Sequence, residues 1–599
     1  MGNMNESMDG QSISVVKVNK TYREFIEEVF IKPIRTAVVV DDEFPTLDEF
    51  LLNPEAASKK RYAEKAKDII SFCRARRPHP WIVDIHDGQN ISLIKEGESA
   101  THFDHTDLLV LDYHLKGEQY GGDLAISLLK RLANNEHFNL VIIYTDNDVS
   151  NTLREIGHSL CGKERAQKFC AAKVDARVEE TFQKWVDEGD EIAQQLIESV
   201  DVMAFIKAIY MDDLDFKKCF EVDQFLSFRS LLATKKIDYN PSHMLRLVFR
   251  YKLDGFLPAM TNGDYGELQL DEGSNSEDGT GVNWLRIDSL FLTIIKKSEV
   301  SPEQFSNKLI SAIASWDPSP HRLIVTKMRS EIGRRGVMVE KEVLQNPYLQ
   351  AAWLKGLFDV ESAELRTNVR KNVVKHWDSL GARVEPSVVA FAEELSSFLS
   401  SNDVRFERFQ NPAYSKSSLM ALHVNHHVCS KPIEGHHLFT GHVFKIDEEF
   451  WVCLTPACDM EPGRKIGKGI NKDLGAWKPF KAAKIEPLLE FNSALANASR
   501  GHHLFLDIDG SQPTAFAFSP EAEPTLKWQQ FYAKNQGYFE PGTYDFNLML
   551  CKDDAGLLGF EPKVAMVVAQ LRYEYALHLL HRLGNHLSRV GLEFISYQS

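Results

Sequence analysis

Short, continuous apolar runs alternate with amphipathic stretches over the first quarter of the chain. Residues 36–41 read TAVVVD, 81–85 WIVDI, 107–115 DLLVLDYHL and 140–144 LVIIY. Each run is too short for a helix and reads as a strand, and the four consecutive apolar residues of LLVL suit a strand buried on both faces of a parallel sheet. Between the first two, Tyr62, Ala66, Ile69, Ile70 and Cys73 fall at helical spacing, and the prolines of RARRPHP (74–80) stop that helix. After Gly121 and Gly122 the segment DLAISLLKRLAN is a second amphipathic helix. Alternating strand and helix predict an α/β fold with a doubly wound, parallel, five-stranded sheet.

The fifth strand, LFLTII at 290–295, comes late. Residues 151–283 carry helical apolar spacing in TFQKWV, EIAQQLIESV, FIKAIY, DQFLSFRSLL and HMLRLVFRYK, and read as a helical insertion. Its end, GELQLDEGSNSEDGTG, is polar and acidic and predicts a flexible linker. Ser301, Pro302 and Glu303 supply an N-cap, a first-turn proline and a first-turn acid for the helix that follows the fifth strand. The domain plan is then a leader and short helix at 1–33, sheet-forming parts at 34–150 and 284–316 around the insertion, a helical region at 317–410, and a C-terminal α+β domain at 411–599. That last domain shows strand-like pieces at 438–446, 450–455, 503–508 and 513–518. A closing helix is expected over 563–590, striped by Val564, Val567, Val568, Leu571, Tyr575, Leu579, Leu583 and Leu587.

Length and composition narrow the class. A chain of 599 residues exceeds one core and suggests about three or four domains. The net charge of −16 argues against a main role in gripping phosphate backbones. No short helical pair carries a basic recognition helix, so DNA is not an expected partner. No run of about 18 apolar residues predicts a membrane span. The polar start MGNMNESMDGQSIS has neither a secretory apolar region nor a myristoylation pattern. Eight scattered cysteines without a C-x-x-C pair read as reduced thiols of a cytoplasmic protein.

The chemistry gathers at strand ends. Asp41 and Asp42 end the first strand, Asp112 the third, Thr145 the fourth, and a lysine, Lys296 or Lys297, the fifth. In a doubly wound sheet these ends meet at one edge, where ligands bind. Three carboxylates together repel one another and call for a cation, and Mg²⁺ suits carboxylate ligands. Asp112 is then placed to act as a nucleophile toward a phosphoryl group, with the threonine hydroxyl and the lysine holding its oxygens.

With VVVDDE, LLVLDYHLKG, GGDLAISLLKRL, VIIYT and IIKK followed by SPEQF, residues 34–150 and 284–316 resemble the receiver domain of two-component response regulators. The resemblance implies that Asp112 is the phospho-acceptor and that a histidine kinase supplies the phosphoryl group. It implies Mg²⁺ bound through the side chains of Asp42 and Asp112 and the backbone carbonyl of His114, with Asp41 helping through water. It also implies that Thr145 and the lysine receive the phosphoryl oxygens. Lys296 directly follows the apolar run and is preferred, with Lys297 the alternative. The chain departs from the family pattern in its long insertion, in Thr293 where an aromatic switch residue is usual, and in Asp146 where a small residue is common. The large architecture without a DNA-binding motif also resembles regulators of two-component-like antiphage operons of the Detocs type. This points to signalling by protein–protein contact, with a second regulator or effector or another copy as partner, or to a phosphate sink. Two other readings are a receiver-gated C-terminal enzyme and a non-phosphorylated scaffold.

Other clusters are weaker. The loop PGRKIGKGINK (462–472) is one residue short of a phosphate-loop spacing and has Gly469 where Ser or Thr would bind Mg²⁺, so it reads as a basic surface loop. His423, His426, His427, Cys429, His436, His437, His442, Cys453 and Cys458 match no zinc-finger spacing and read as structural. His502, His503, Asp507 and Asp509 are the residues expected to line a pocket if the C-terminal region is an enzyme.

Overall fold

The structure, a computed structural model, describes residues 20–75, 80–88, 106–115, 121–135, 137–211, 225–234, 240–273, 282–335, 345–358, 365–462, 474–510, 512–518, 526–540, 542–554 and 556–588. The chain divides into two units, Met1–Arg334 with Val388–Phe398, and Arg335–Ser387 with Leu399–Ser599.

The first unit is built on strands β1 (Thr36–Val40), β2 (Ile82–His86), β3 (Leu108–Leu111), β4 (Asn139–Thr145), β5 (Gln269–Asp271), β6 (Trp284–Ile287) and β7 (Leu290–Lys296). Their order is β2-β1-β3-β4-β7-β6-β5. The pairings β2–β1, β1–β3, β3–β4 and β4–β7 are parallel. The sheet therefore has seven strands where five were expected, because β6 and β5 extend it by antiparallel pairing beyond β7. The expected linker at 266–281 is corrected in the same way, since Gln269–Asp271 is a strand; 274–281 lie outside the described residues. Strands β3 and β4 are buried at every position, as two-sided coverage by helices requires.

Helices α1 (Ala63–Ala75), α2 (Asp123–Ala133) and α3 (Val149–Leu160) connect or follow the parallel strands. The insertion adds α4 (Lys163–Cys170), α5 (Ala176–Asp187), α6 (Glu191–Glu198), α7 (Val202–Ile209), α8 (Leu226–Thr234) and α9 (Pro241–Phe256), and α10 (Phe305–Trp316) follows β7. The insertion is no separate body. One continuous core runs from Leu111, Val141 and Ile143 of the sheet through Leu153 and Ile156 of α3 to Phe205 and Phe249 of the inserted helices. Near the N-terminus, Tyr22–Ile26 is helical and continues as a wider turn to Ile31. There Phe25 meets Phe391 edge-on at 5.5 Å, so the segment Val388–Phe398 seals this unit.

The second unit centres on a β-barrel, more specific than the α+β domain expected. The strands of this unit's sheet are β8 (His442–Ile446), β9 (Glu449–Cys453), β10 (Lys478–Pro487), β11 (His503–Leu506), β12 (Thr514–Ala517), β13 (Trp528–Ala533), β14 (Asp545–Asp554) and β15 (Leu557–Leu571). The antiparallel path β9-β8-β15-β14-β13-β10 closes because β9 also pairs with β10. The far end of β10 pairs with β12, and β12 with β11. The interior is filled by aromatic rings: Phe444 lies 5.8 Å from Phe480 and 5.9 Å from Phe531.

The helix expected over 563–590 is half strand. Leu557–Leu571 is β15, and only Tyr573–Leu587, α11, is helical. Ala565 and Val567 point inward while Val564 and Met566 are exposed, the alternation of a strand. A register shift between Val567 and Ala569 breaks that alternation, so the apolar positions mimic helical spacing. Among the described residues no helix is long and apolar enough to cross a membrane.

Candidate functional site

The carboxyl ends of β1, β3, β4 and β7 meet on one edge of the first unit's sheet, as the parallel registers require. Asp41 is set by its backbone N–H, which donates to the carbonyl of His86 at 3.0 Å. Asp112 is set in the same way against Val40, at 2.8 Å. Side-chain oxygens of Asp41, Asp42 and Asp112 come within 4.8 Å of one another. Among the described residues this is the group of three or more such side chains able to share a metal ion.

Lys297 supplies the positive charge. Its Nζ lies 2.7 Å from Oδ2 of Asp41 and 3.1 Å from Oδ1 of Asp112, with all three side chains almost wholly buried. Lys296, the preferred choice from sequence, points elsewhere and pairs with Glu299 at 3.2 Å. The reason is the period of two in a strand. Thr293, Ile295 and Lys297 share one side of the strand and its continuation, and the backbone N–H of Lys297 donates to the carbonyl of Thr145 at 2.8 Å, adding one rung beyond β7. Thr145 is buried, and its hydroxyl oxygen accepts from the N–H of Asn147 at 3.3 Å.

Burial raises the pKa of Asp41 to about 7 and raises that of Asp112, while Lys297 pulls both back. Burial opposes the charge on Lys297, yet Asp41 and Asp112 outweigh it and push its pKa up. The cluster is thus a set of charges held away from water by their mutual contact. Its donors are all carboxylate oxygens, which fits a hard divalent cation such as Mg²⁺.

Several neighbours are not legible from motif spacing. The ammonium of Lys297 lies 5.6 Å from the ring centre of Phe44, 5.1 Å from that of Tyr62 and 6.0 Å from that of Tyr144. Tyr62 had read only as an apolar helix position. Its hydroxyl donates to Asp146 at 2.7 Å, so the acid after Thr145 is bonded instead of turned into the cluster. Lys65 donates to the carbonyl of Lys297 at 2.7 Å. Tyr113, next to Asp112, is buried and donates to Glu155 of α3. The ring of His114 meets the amide of Asn147 at 3.0 Å. Thr293 is fully buried and donates to the carbonyl of Asn283 at 2.8 Å, tying the switch position to the segment before β6.

Among the described residues the remaining sequence candidates form no second group of three or more side chains able to share a metal ion. Asp507 accepts from the N–H of Gly510 at 2.8 Å and closes a turn, and His502 stacks on Phe518. His426 and Cys429 both meet the carbonyl of Phe505, at 3.2 and 2.9 Å. His442 is buried and accepts from the N–H of Phe439 at 3.0 Å. Residues 463–473 of the basic loop lie outside the described residues.

No curated protein and no solved structure matches the chain. Residues 33–193 match the family described as the response receiver domain, so the stretch that carries Asp41, Asp42, Asp112 and Thr145 is similar to the receivers of response regulators.

Proposed function

We propose that the chain accepts a phosphoryl group on Asp112 from a histidine kinase and passes the change on by protein–protein contact. The observation that carries this reading is the buried cluster itself, three carboxylates within 4.8 Å of one another with one lysine bridging Asp41 and Asp112. In the transfer, an oxygen of Asp112 attacks phosphorus, the bond from phosphorus to the donor histidine nitrogen breaks, and that nitrogen takes up a proton. Asp41, Asp42 and Asp112 would hold Mg²⁺, which when bound offsets the negative charge of the incoming group. Lys297 would leave Asp41 for a phosphoryl oxygen, and the Thr145 hydroxyl would donate to another. The lysine's movement is short because its ammonium already lies 3.1 Å from Asp112.

The family's usual relay through an aromatic on the last parallel strand has Thr293 in its place. Tyr113 and its bond to Glu155 of α3 offer another route, from the residue beside Asp112 to the helix that leads into the insertion. The likeness in architecture to Detocs-type regulators supports antiviral defence as a setting, with a second regulator or effector as the listener. Draining phosphoryl groups from a second regulator would use the same chemistry.

The test is intact mass after incubation with acetyl phosphate and Mg²⁺, wild type beside Asp112→Asn. A gain of one phosphoryl group on the wild type alone supports the reading. Equal labelling of both proteins, or no labelling together with no Mg²⁺ binding, overturns it.

A further inference from the structure

Two adjoining clefts in the first unit, of about 530 and 350 Å³, share Asn262 and Gly263 of the loop between α9 and β5. Arg165, Lys168 and Arg246 line the first, and Lys130 and Arg131 the second. Glu164 and Asp264 are the acids on the same walls, so five cations face two carboxylates in a chain whose net charge is −16. Two other arginines of this unit are ion-paired: Arg154 with Glu272 at 3.2 Å and Arg250 with Glu179 at 2.6 Å. Arg165, Lys168 and Lys130 enter no such ion pair among the described residues.

The arginines are held in place. The guanidinium of Arg165 lies 4.4 Å from the ring centre of Tyr210. That of Arg246 lies 4.6 Å from the ring centre of Phe169 and donates to the Phe169 carbonyl at 3.0 Å. Four of the five cations are half-buried, and only Lys168 is exposed. Stacking fixes each fork before anything binds, and partial burial strengthens its pull on an anion. The loop comes close because its neighbours are small: a Cβ on Gly162 would sit 3.4 Å from the Gly263 carbonyl.

We infer that these joined clefts bind a small anion carrying two or more phosphate groups. One phosphate would fill the Arg165 and Arg246 side, and a second, linked phosphate would extend along the shared Asn262 and Gly263 toward Lys130 and Arg131. Lys130 and Arg131 belong to α2, the helix after the Asp112 strand, and Arg165 and Arg246 to α4 and α9 of the insertion. Occupancy would therefore tie the insertion to the receiver-like sheet. This inference is independent of phosphorylation at Asp112.

The experiment is calorimetric titration of the full chain with pyrophosphate and, separately, with ATP. Both are run in EDTA, so that no divalent metal can carry either probe to the carboxylate cluster. The variants are Arg165→Ala with Arg246→Ala, and Lys130→Glu with Lys168→Glu, each first compared with the wild type by circular dichroism and melting temperature, so that a loss of binding is read only from folded protein. Each pair should weaken pyrophosphate binding by about tenfold or more, since each removes two charged hydrogen-bond donors to the anion. Tighter binding of ATP than of pyrophosphate, with the same losses, also supports the site and adds a contribution from the nucleoside. No binding of either probe, or binding that both variant pairs leave unchanged, overturns the inference. So does binding of an acidic peptide where neither phosphate probe binds, which would make the clefts a peptide dock.

Discussion

Exchanging Lys297 for methionine tests how the buried cluster is balanced. The ammonium lies 2.7 Å from Asp41 and 3.1 Å from Asp112. At an effective dielectric of about 20 these contacts carry roughly 6 and 5 kcal/mol of gross attraction. Most of that offsets the desolvation of three charges, so the net loss on removing one partner is about 3–5 kcal/mol. The loss comes mainly from Asp41 and Asp112 left charged and buried. It shrinks as pH falls, because Asp41, already raised by burial and no longer held down by Lys297, takes up a proton more readily. The control is Lys296→Met. Lys296 is partly exposed and, among the described residues, pairs with Glu299, and such surface pairs are worth about 0–1 kcal/mol. Hydrogen exchange by mass spectrometry at pH 8, followed on peptides covering Asn139–Thr145 and Leu290–Lys296, isolates this unit from the barrel. Where those amides exchange by global opening, 3 kcal/mol is on the order of a hundredfold faster exchange in Lys297→Met. Mg²⁺ should slow exchange more in Lys297→Met than in the wild type, because it replaces the missing charge. Exchange within about twofold of wild type in Lys297→Met, or a larger effect from Lys296→Met, would refute the argument, since about 0.4 kcal/mol is all that twofold allows.

Other consequences can be read separately. Burial lowers the pKa of His442 to about 4 from the ordinary 6.5, so between these values the unfolded chain binds a proton that the barrel does not. The contribution is full above about 6.5 and is lost as pH falls, roughly 3 kcal/mol by pH 4; His442→Gln should flatten that slope in exchange of the β8 peptides. Gly122→Ala would place a Cβ 2.1 Å from Cζ of Tyr113, so the ring must move off Glu155, at a cost of about 1–3 kcal/mol seen as faster exchange in α3. Phe444→Ala empties the centre of the barrel and should destabilise it by about 3–5 kcal/mol, with exchange in β1 to β4 unchanged.

The amino-acid sequence determined which segments form the central parallel strands, because runs such as LLVL and LVIIY are buried on both faces and carry their signal in consecutive residues. It also determined which strands end in Asp41, Asp42, Asp112 and Thr145, since a strand end is a local property. It did not determine which lysine reaches the cluster. Lys296 and Lys297 are chemically identical neighbours, and only the register of β7 against β4 turns one of them inward. Tyr62 needed tertiary structure too, because its contacts with Lys297 and Asp146 join residues far apart in sequence. The barrel is decided at the same level. Its closing contact, β9 with β10, joins strands whose alternation looks ordinary in isolation, and the bulge in β15 disguises a strand as a helix. Local periodicity reports which faces are apolar; what those faces meet is set by pairing between distant segments, and no window of the chain contains that information.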